Sequence, residues 1–212
     1  GERELEKIGL SAAQIASIRA SKQQLQQKLH ILSREKAEIV LLGDKGYPNL
    51  LMEIADPPAA LYVKGQLPAS QTISIVGTRK PTDYGIKITR ELAEEACKLN
   101  LTIVSGLALG IDSIGHQIAI DHRLPTVAVL PCPIDQIYPK QHQALANNIL
   151  KYQGALVSEY PLRMPLYKSN FLIRNRIIAG LSRAVIVTEA REGSGAIITA
   201  QVAADYNRDV YT

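Results

Sequence analysis

Short apolar segments alternate with helix-like segments along most of the chain, and this alternation restricts the fold more than any other feature. Continuous apolar strands, each followed by a helix, are typical of a parallel sheet covered on both faces. The pattern therefore predicts an α/β fold with a doubly wound, mostly parallel sheet. The predicted strands are 72–77, 102–106, 126–131, 155–160 and 184–190, and the predicted helices are 84–99, 111–122, 141–152, 171–181 and 195–206.

The first part of the chain has a different character. Residues 1–36 are polar, rich in Gln and free of β-branched runs, which predicts helix alone, with Ser11 as an N-terminal cap. Short apolar runs begin at Ala37, so we place a domain boundary between residues 36 and 37. The chain starts at Gly1 and stops in the strand-like DVYT, from which we expect it to be a piece of a longer protein.

The positive charge is concentrated in one segment. The chain has 24 Lys plus Arg and 20 Asp plus Glu, a formal net charge of +4, and residues 168–183 contain four cations, no acid and the only Phe. A basic cluster around a lone aromatic ring suits a polyanion with stackable bases, such as single-stranded nucleic acid. An amphipathic helix with solvated arginines and with Ile177, Ile178 and Leu181 in the core explains the same composition.

Several classes of protein are not supported by the sequence. Cys97 and Cys132 have no neighbours at metal-ligand spacing, so neither a disulfide framework nor a metal site is expected. No apolar targeting segment or membrane-length run occurs, and we expect a cytoplasmic protein without a membrane partner. A GxxxxGK[ST] loop is absent, and Ile198 interrupts a dinucleotide fingerprint in GSGAII, so no cofactor is expected.

The residues that follow the strands are the candidates for ligand binding, because doubly wound sheets bind ligands beyond the carboxyl ends of their strands. Three of these turns combine glycine with polar or cationic groups, and exposed N–H groups at such turns suit a phosphate. An exposed turn arginine and simple helix capping are the structural alternatives. The candidates are Gly77, Thr78 and Arg79 after the first strand, Ser105 and Gly106 after the second, and Gly193, Ser194 and Gly195 at the start of the last helix.

Acid and base residues also occur near these turns. Asp112 and His116 are four residues apart on one helical face, and Glu159 ends a strand, an arrangement that permits acid–base catalysis. A helix-start carboxylate, a packing histidine and a buried partner for an arginine explain the three residues as well. The sequence has turns that suit phosphate binding but no recognisable nucleophile, and this combination predicts a binding protein and not an enzyme.

Five motifs in order resemble the family of DNA processing protein A (DprA/Smf). They are SIVGTRKPTDYG (74–85), SGLALGIDSIGH (105–116), SEYP (158–161), FLIRNRIIAGLS (171–182) and EAREGSGAIITAQVA (189–203). The resemblance covers residues 37–212 and implies an extended Rossmann-like domain that binds single-stranded DNA and forms homodimers. It also implies a recombination mediator that protects DNA strands in natural transformation and loads a RecA-type recombinase. Residues 1–36 then resemble the remnant of a SAM-like module.

The resemblance also indicates which residues contact DNA. Arg79, Lys168 and Phe171 are similar to the DNA-contacting residues of the family, while Arg174, Asn175 and the 193–195 turn lie in motifs around the same pocket. We expect Lys168, Phe171 and Arg174 to face DNA.

Two departures from the family pattern stand out. Pro131-Cys132-Pro133 replaces a glycine-containing turn and removes two N–H donors, which puts ligand contact through that loop in doubt. Leu172 stands where a proline often follows the Phe.

Two rival functions share this fold. One is a sensor domain that binds a small nucleotide. The other is a phosphoribohydrolase-type enzyme, which requires a glutamate in the turn where this chain has Ile198 and Thr199.

Overall fold

The structure is a computed structural model that describes residues 11–212. The chain divides into two compact units, with the boundary between Lys36 and Ala37. Helix α1 (Ala12–Glu35) belongs to the first unit. Ser11 Oγ accepts a hydrogen bond from the N–H of Gln14, and the Gln14 side chain accepts one from the N–H of Ser11. This reciprocal pair satisfies two otherwise unpaired helix-start donors and confirms the predicted cap.

The second unit consists of one eight-stranded sheet and its covering helices. The strands are β1 (Ala37–Leu41), β2 (Ala60–Gly65), β3 (Thr72–Val76), β4 (Thr102–Ser105), β5 (Thr126–Val129), β6 (Ala155–Ser158), β7 (Ala184–Val187) and β8 (Asp209–Tyr211). The helices are α2 (Asn49–Met52), α3 (Asp83–Lys98), α4 (Ile111–Asp121), α5 (Gln143–Lys151), α6 (Ser169–Gly180) and α7 (Gly195–Asp205), with a short 3₁₀ turn (Lys140–His142) before α5.

The strand order is β1-β2-β6-β5-β4-β3-β7-β8. Strands β1 and β2 pair antiparallel, β2 and β6 pair antiparallel, and all pairs from β6 to β8 are parallel. The predicted doubly wound, mostly parallel sheet is therefore confirmed. The predicted strands run one to three residues too far, because the chain leaves the sheet at positions such as 77 and 106 to form turns.

Successive strand residues pack on opposite faces of the sheet, as the two-residue repeat of a strand requires. Ile75 and Ile103 lie in a buried cluster with residues of α3 and α4. Their neighbours Val76 and Val104 lie in the cluster that includes α6 and α7 residues. The expected core residues of α6 and its C-terminal end are buried, which confirms that part of the prediction: Ile177, Ile178 and Leu181 are 0%, 1% and 6% exposed.

Strand β3 lies at the point where the connections of the sheet diverge. Its neighbours are β4 on one side and β7 on the other. Connections that leave a parallel sheet in opposite directions open a crevice at the carboxyl ends of the strands, and ligands of doubly wound sheets bind there.

Across residues 11–212, none of the helices combines the length and apolar character needed to span a membrane.

Candidate functional site

A groove of about 710 Å³ lies at the carboxyl end of β3, between the turn that follows this strand and the first turns of α6 and α7. Turns from separate parts of the chain meet here because parallel strands end at the same edge of the sheet. Nine of the twelve predicted site residues line it: Gly77, Thr78, Arg79, Lys168, Phe171, Arg174, Asn175, Ser194 and Gly195.

The turn after β3 is held by backbone bonds to two neighbouring loops. The N–H of Thr78 donates to the carbonyl of Glu189 at 2.8 Å, and the N–H of Ile111 donates to the carbonyl of Thr78 at 3.2 Å. A Cβ at position 77 would lie 2.5 Å from Cγ1 of Ile111, so this close approach requires Gly77. The turn is therefore rigid where it presents the exposed Arg79.

The far end of this turn is fixed by Glu189. Its Oε2 accepts from the N–H of Thr82 at 2.9 Å and from the Thr82 hydroxyl at 3.0 Å. A Cβ at Gly85 would lie 1.9 Å from the same oxygen. Glu189 thus braces the start of α3, and the segment that carries Arg79 is restrained at both ends.

Phe171 forms an aromatic contact that the sequence did not predict. The Tyr138 ring stands edge-on to it, with centroids 5.2 Å apart and planes at 74°. Arg79 Cζ lies 5.5 Å from the Phe171 centroid, within range of a cation–π attraction. Tyr138 is 41% exposed and Phe171 is half-buried. Phe171 and Tyr138 therefore form an accessible aromatic surface beside the exposed guanidinium of Arg79.

Arg174, which we expected to face DNA, lines the groove but is almost completely buried. It is 4% exposed, and its Nη1 donates to the carbonyls of Gly106, at 2.7 Å, and Val129. The Val129 carbonyl lies at the end of β5, and the Gly106 carbonyl lies one residue beyond the end of β4. Carbonyls at these positions have no strand partner and need another hydrogen-bond donor. Arg174 forms the floor of the groove, and its charge lies beneath the ligand space.

Asp112 is the acidic counterpart of Arg174. Its Oδ2 accepts from the N–H of Gly106 at 3.0 Å and of Ala108 at 3.3 Å. Burial raises the pKa of Asp112, opposed by the charge of Arg174 and by these hydrogen bonds. Burial lowers the pKa of Arg174 to about 10, which still leaves it protonated at neutral pH. The Gly106 peptide therefore bridges a buried acid and a buried cation.

The other candidate acid and base have structural partners. His116 is fully buried, its Nδ1 lies 2.7 Å from the Thr126 hydroxyl, and burial lowers its pKa to about 3. Glu159 pairs with Arg176, which also contacts Asp56 Oδ2 at 3.1 Å. Both match the structural alternatives drawn from the sequence.

Three predicted site residues do not line the groove. Ser105 is 0% exposed and its hydroxyl donates to the carbonyl of Ile75 at 2.7 Å, so it lies beneath the site. Gly106 lines a smaller adjoining cavity of about 50 Å³. Gly193 adopts a φ of +69° at the tip of its turn and points into open space. Proximity to a strand end or a helix start therefore does not by itself place a residue in the groove lining.

Asn175 and Ser194 lie where α6 meets the start of α7. Asn175 Nδ2 donates to the carbonyl of Gly195 at 3.1 Å, so this side chain ties the two helices together. Ser194 occupies the N-cap position of α7 without a capping bond from its side chain, and its Oγ is buried without a hydrogen-bond partner. The first turn of α7 therefore has no side-chain cap, although Ser194 and Gly195 at its start line the groove.

The groove is electropositive. Its exposed cations include two that were not predicted, Lys80 and Arg191, in addition to Arg79 and Lys168. Asp112 is the acid among the lining residues, and it lies next to Arg174. Lys80 directly follows the predicted 77–79 turn, and Arg191 lies two residues before the predicted 193–195 turn, so adjacency to these turns was the available sequence signal.

The Pro131-Cys132-Pro133 loop is buried and held through its carbonyls. The Pro131 carbonyl accepts from Asn170 Nδ2 at 3.0 Å, and the Cys132 carbonyl accepts from the Ser158 hydroxyl at 2.6 Å. Burial raises the pKa of Cys132 to about 11, so the thiol is neutral.

Within residues 11–212, no grouping of His, Cys, Asp and Glu is arranged to hold a metal ion.

Comparison with known proteins identifies close relatives. The family model of DNA recombination-mediator protein A matches residues 38–212. The chain is 46% identical over 175 residues to Protein Smf of Synechocystis sp., covering 80% of this chain and 44% of that protein. It is 41% identical over 173 residues to DNA processing protein DprA of Bacillus subtilis, covering 80% and 58%. The chain spans about half the length of such curated relatives.

Solved structures agree with this relationship. DNA processing protein A of Streptococcus pneumoniae matches with a TM-score of 0.77 and 37% identity, over 85% of this chain and 65% of that one. DNA processing protein A of Helicobacter pylori, described for its unique single-stranded DNA binding mode, matches with a TM-score of 0.74 and 32% identity, over 82% and 79%.

Proposed function

The chain belongs to the DNA recombination-mediator protein A family, and we propose that it is a single-stranded DNA-binding recombination mediator that holds the strand in the groove after β3. One observation carries the proposal: the exposed cations Arg79 and Lys168 flank the accessible ring of Phe171 at the ligand-binding edge of a doubly wound sheet. Phosphate contacts combined with base stacking are the general means of binding single strands.

The residues of the groove divide into two roles. Arg79, Lys80, Lys168 and Arg191 are exposed and neutralise phosphates, while Phe171 offers its ring to a base. Other groove residues, including Arg174 and Asn175, are bonded to backbone carbonyls and keep the groove in shape. Because no side chain is committed to a base edge in this scheme, the sequence of the bound strand has little influence on affinity.

The protein acts by binding and not by catalysis in this proposal. Asp112, the acid of the groove, accepts hydrogen bonds from two backbone N–H groups and lies beside Arg174. The more remote His116 and Glu159 are bonded to Thr126 and Arg176. Their protein partners favour structural roles over proton transfer to a ligand.

The wider setting follows from the family. We propose that residues 37–212 are the DNA-binding domain and residues 1–36 the remnant of a SAM-like module. The protein would act as a homodimer in the cytoplasm, protect single strands during natural transformation and load a RecA-type recombinase onto them. Recombinase assembly on protein-coated single strands, with and without this protein, tests the loading step.

Titration of labelled oligo-dT and of a matched duplex tests the DNA-binding proposal. We expect preference for the single strand, and a log–log dependence on salt with a slope of about −0.7 per neutralised phosphate. Lys168→Ala should make this slope shallower by about 0.7. Lys87→Ala is the matched control, since Lys87 is an exposed cation of α3 paired with Glu91 at 3.9 Å. Equal affinity for duplex DNA, or binding insensitive to salt, would refute the proposal.

A further inference from the structure

A second cavity shares the lining residue Tyr138 with the groove. This cavity has a volume of about 430 Å³ and is lined by Cys132, Gln136, Ile137, Tyr138, Lys140, Gln143 and Leu166. Tyr138 lines this cavity, the large groove and the small adjoining cavity of about 50 Å³. Tyr138 is therefore the residue that the groove and the second cavity have in common.

The side chains that line the second cavity combine a cation, amides and an apolar surface. Lys140, Gln136 and Gln143 are exposed at its rim, and Ile137, Leu166 and the buried Cys132 form an apolar surface. The lining contains no acid, and the Cys132 thiol is neutral because burial raises its pKa to about 11. The cavity thus brings together the groups that a nucleotide requires. Lys140 suits a phosphate, the Gln136 and Gln143 amides suit base edges, and the apolar surface lies beside them.

The amide groups at the rim remain available for a ligand. Gln143 Nε2 donates to Asn147 Oδ1 at 3.3 Å, which leaves its carbonyl oxygen free to accept. The loop that carries the site is anchored at its far end by His142, whose Nδ1 lies 2.8 Å from the carbonyl of Leu107. Lys140 and Gln143 are therefore presented by a restrained segment.

We infer that this cavity is a second nucleotide subsite, in which Tyr138 stacks a base and Lys140 contacts the following phosphate of the same strand. The inference rests on the proposed function, because it extends the strand bound beside Phe171. The edge-on contact of Tyr138 with Phe171 sets the two rings at 74°, so each ring presents its face in a different direction. Such an arrangement serves successive bases of a strand that turns between the two sites.

Oligonucleotide length separates the two subsites. Binding of oligo-dT of about four and about twelve nucleotides, within the usual range for single-strand sites, is measured for wild-type protein and for Lys140→Ala. With the longer strand, Lys140→Ala should weaken binding and make the salt slope shallower by about 0.7. With the shorter strand, held in the first groove, it should match wild type. Lys87→Ala should match wild type with both strands.

Tyr138 is tested by stacking. A 2-aminopurine base in the longer strand should be quenched on binding, and Tyr138→Ala should lose part of this quench and bind roughly 5- to 150-fold more weakly. Tyr138→Phe should restore both signals, since it keeps the ring. Tyr138→Ala should bind the strand of about four nucleotides like wild type, and this result separates stacking in the second cavity from disruption of the neighbouring Phe171.

Three results would overturn the subsite. Lys140→Ala could leave the affinity for the longer strand unchanged, or weaken both strands equally, which would place Lys140 in the first groove. The fluorescence quench could also survive in Tyr138→Ala. If wild-type protein binds neither strand, the proposed function fails as well, and this outcome is recognised without any variant.

Discussion

Replacing Arg174 with Met distinguishes a residue that supports the groove from one that contacts DNA. The substitution keeps most of the side-chain volume but removes the donor to the carbonyls of Gly106 and Val129. It also removes the charge that offsets Asp112 in a buried environment. Arg174 is only 4% exposed, so solvent does not screen the loss. The substitution leaves two buried carbonyls without a donor and Asp112 without a nearby compensating charge, a loss of about 3–5 kcal/mol.

Urea denaturation followed by circular dichroism measures this loss. A decrease of about 3–5 kcal/mol is a large part of the 5–15 kcal/mol that domains of this size have in total, so the midpoint should shift strongly. The double variant Arg174→Met with Asp112→Asn should recover part of the loss, because it leaves no uncompensated buried carboxylate. If Arg174→Met unfolds like wild type and yet loses affinity for oligo-dT, Arg174 binds DNA directly and the structural role assigned here is wrong.

Acidification provides a second signature of the same variant. Burial raises the pKa of Asp112 above its ordinary 3.8, and removing Arg174 raises it further. A carboxyl with a raised folded-state pKa takes up its proton in the folded protein before it does so in the unfolded chain. The stability deficit of Arg174→Met should therefore shrink as the pH falls through this raised pKa and should be smallest below 3.8. A deficit independent of pH would contradict the coupling.

Three further substitutions test separate parts of the structure. Phe171→Ala should weaken oligo-dT binding by roughly 1–3 kcal/mol in an anisotropy titration; a sharp fall in melting temperature with unchanged affinity would show that the ring is core. Gly106→Ala should lower the free energy of unfolding by about 1–3 kcal/mol, because a Cβ would lie 2.5 Å from Arg174 Nη1; an unchanged denaturation midpoint would contradict this. Burial lowers the pKa of His116 from 6.5 to about 3, so wild-type stability should fall as the pH drops through this interval, and His116→Gln should show a flatter decline. Parallel pH curves for the two proteins would count against a buried neutral His116.

The fold could be predicted because it depends on patterns that are local in the chain. Apolar runs of strand length and helical repeats identified five of the eight strands, β3 to β7, and the helices that follow them, and the same repeats placed Ile177 and Ile178 in the core. The strand ends were less predictable. Leu130 is as apolar and as buried as the residues of β5, yet it lies beyond the last parallel pair. Where pairing stops is decided by the neighbouring strand.

The candidate site shows where sequence reasoning fails. Arg174 was placed beside Lys168 and Phe171 because all three belong to one basic segment, but a basic segment does not reveal which strand carbonyls need a donor. Asp112 in the first turn of α4 and the missing side chain at Gly106 were the available signals for a buried guanidinium. Tyr138 gave no signal, since its loop has no repeat and its contact with Phe171 joins parts of the chain that are far apart in sequence.

The Gly106 peptide has a further consequence for how the integrity of the groove can be observed. Its N–H is bonded to Asp112 and its carbonyl to Arg174, and both partners are buried. Exchange of this amide hydrogen with deuterated solvent requires its bond to Asp112 to break and solvent to reach the buried groove floor. We expect the exchange rate of the Gly106 amide to follow opening of the groove floor. Measuring this one backbone proton would then report local opening of the site while the rest of the sheet stays closed.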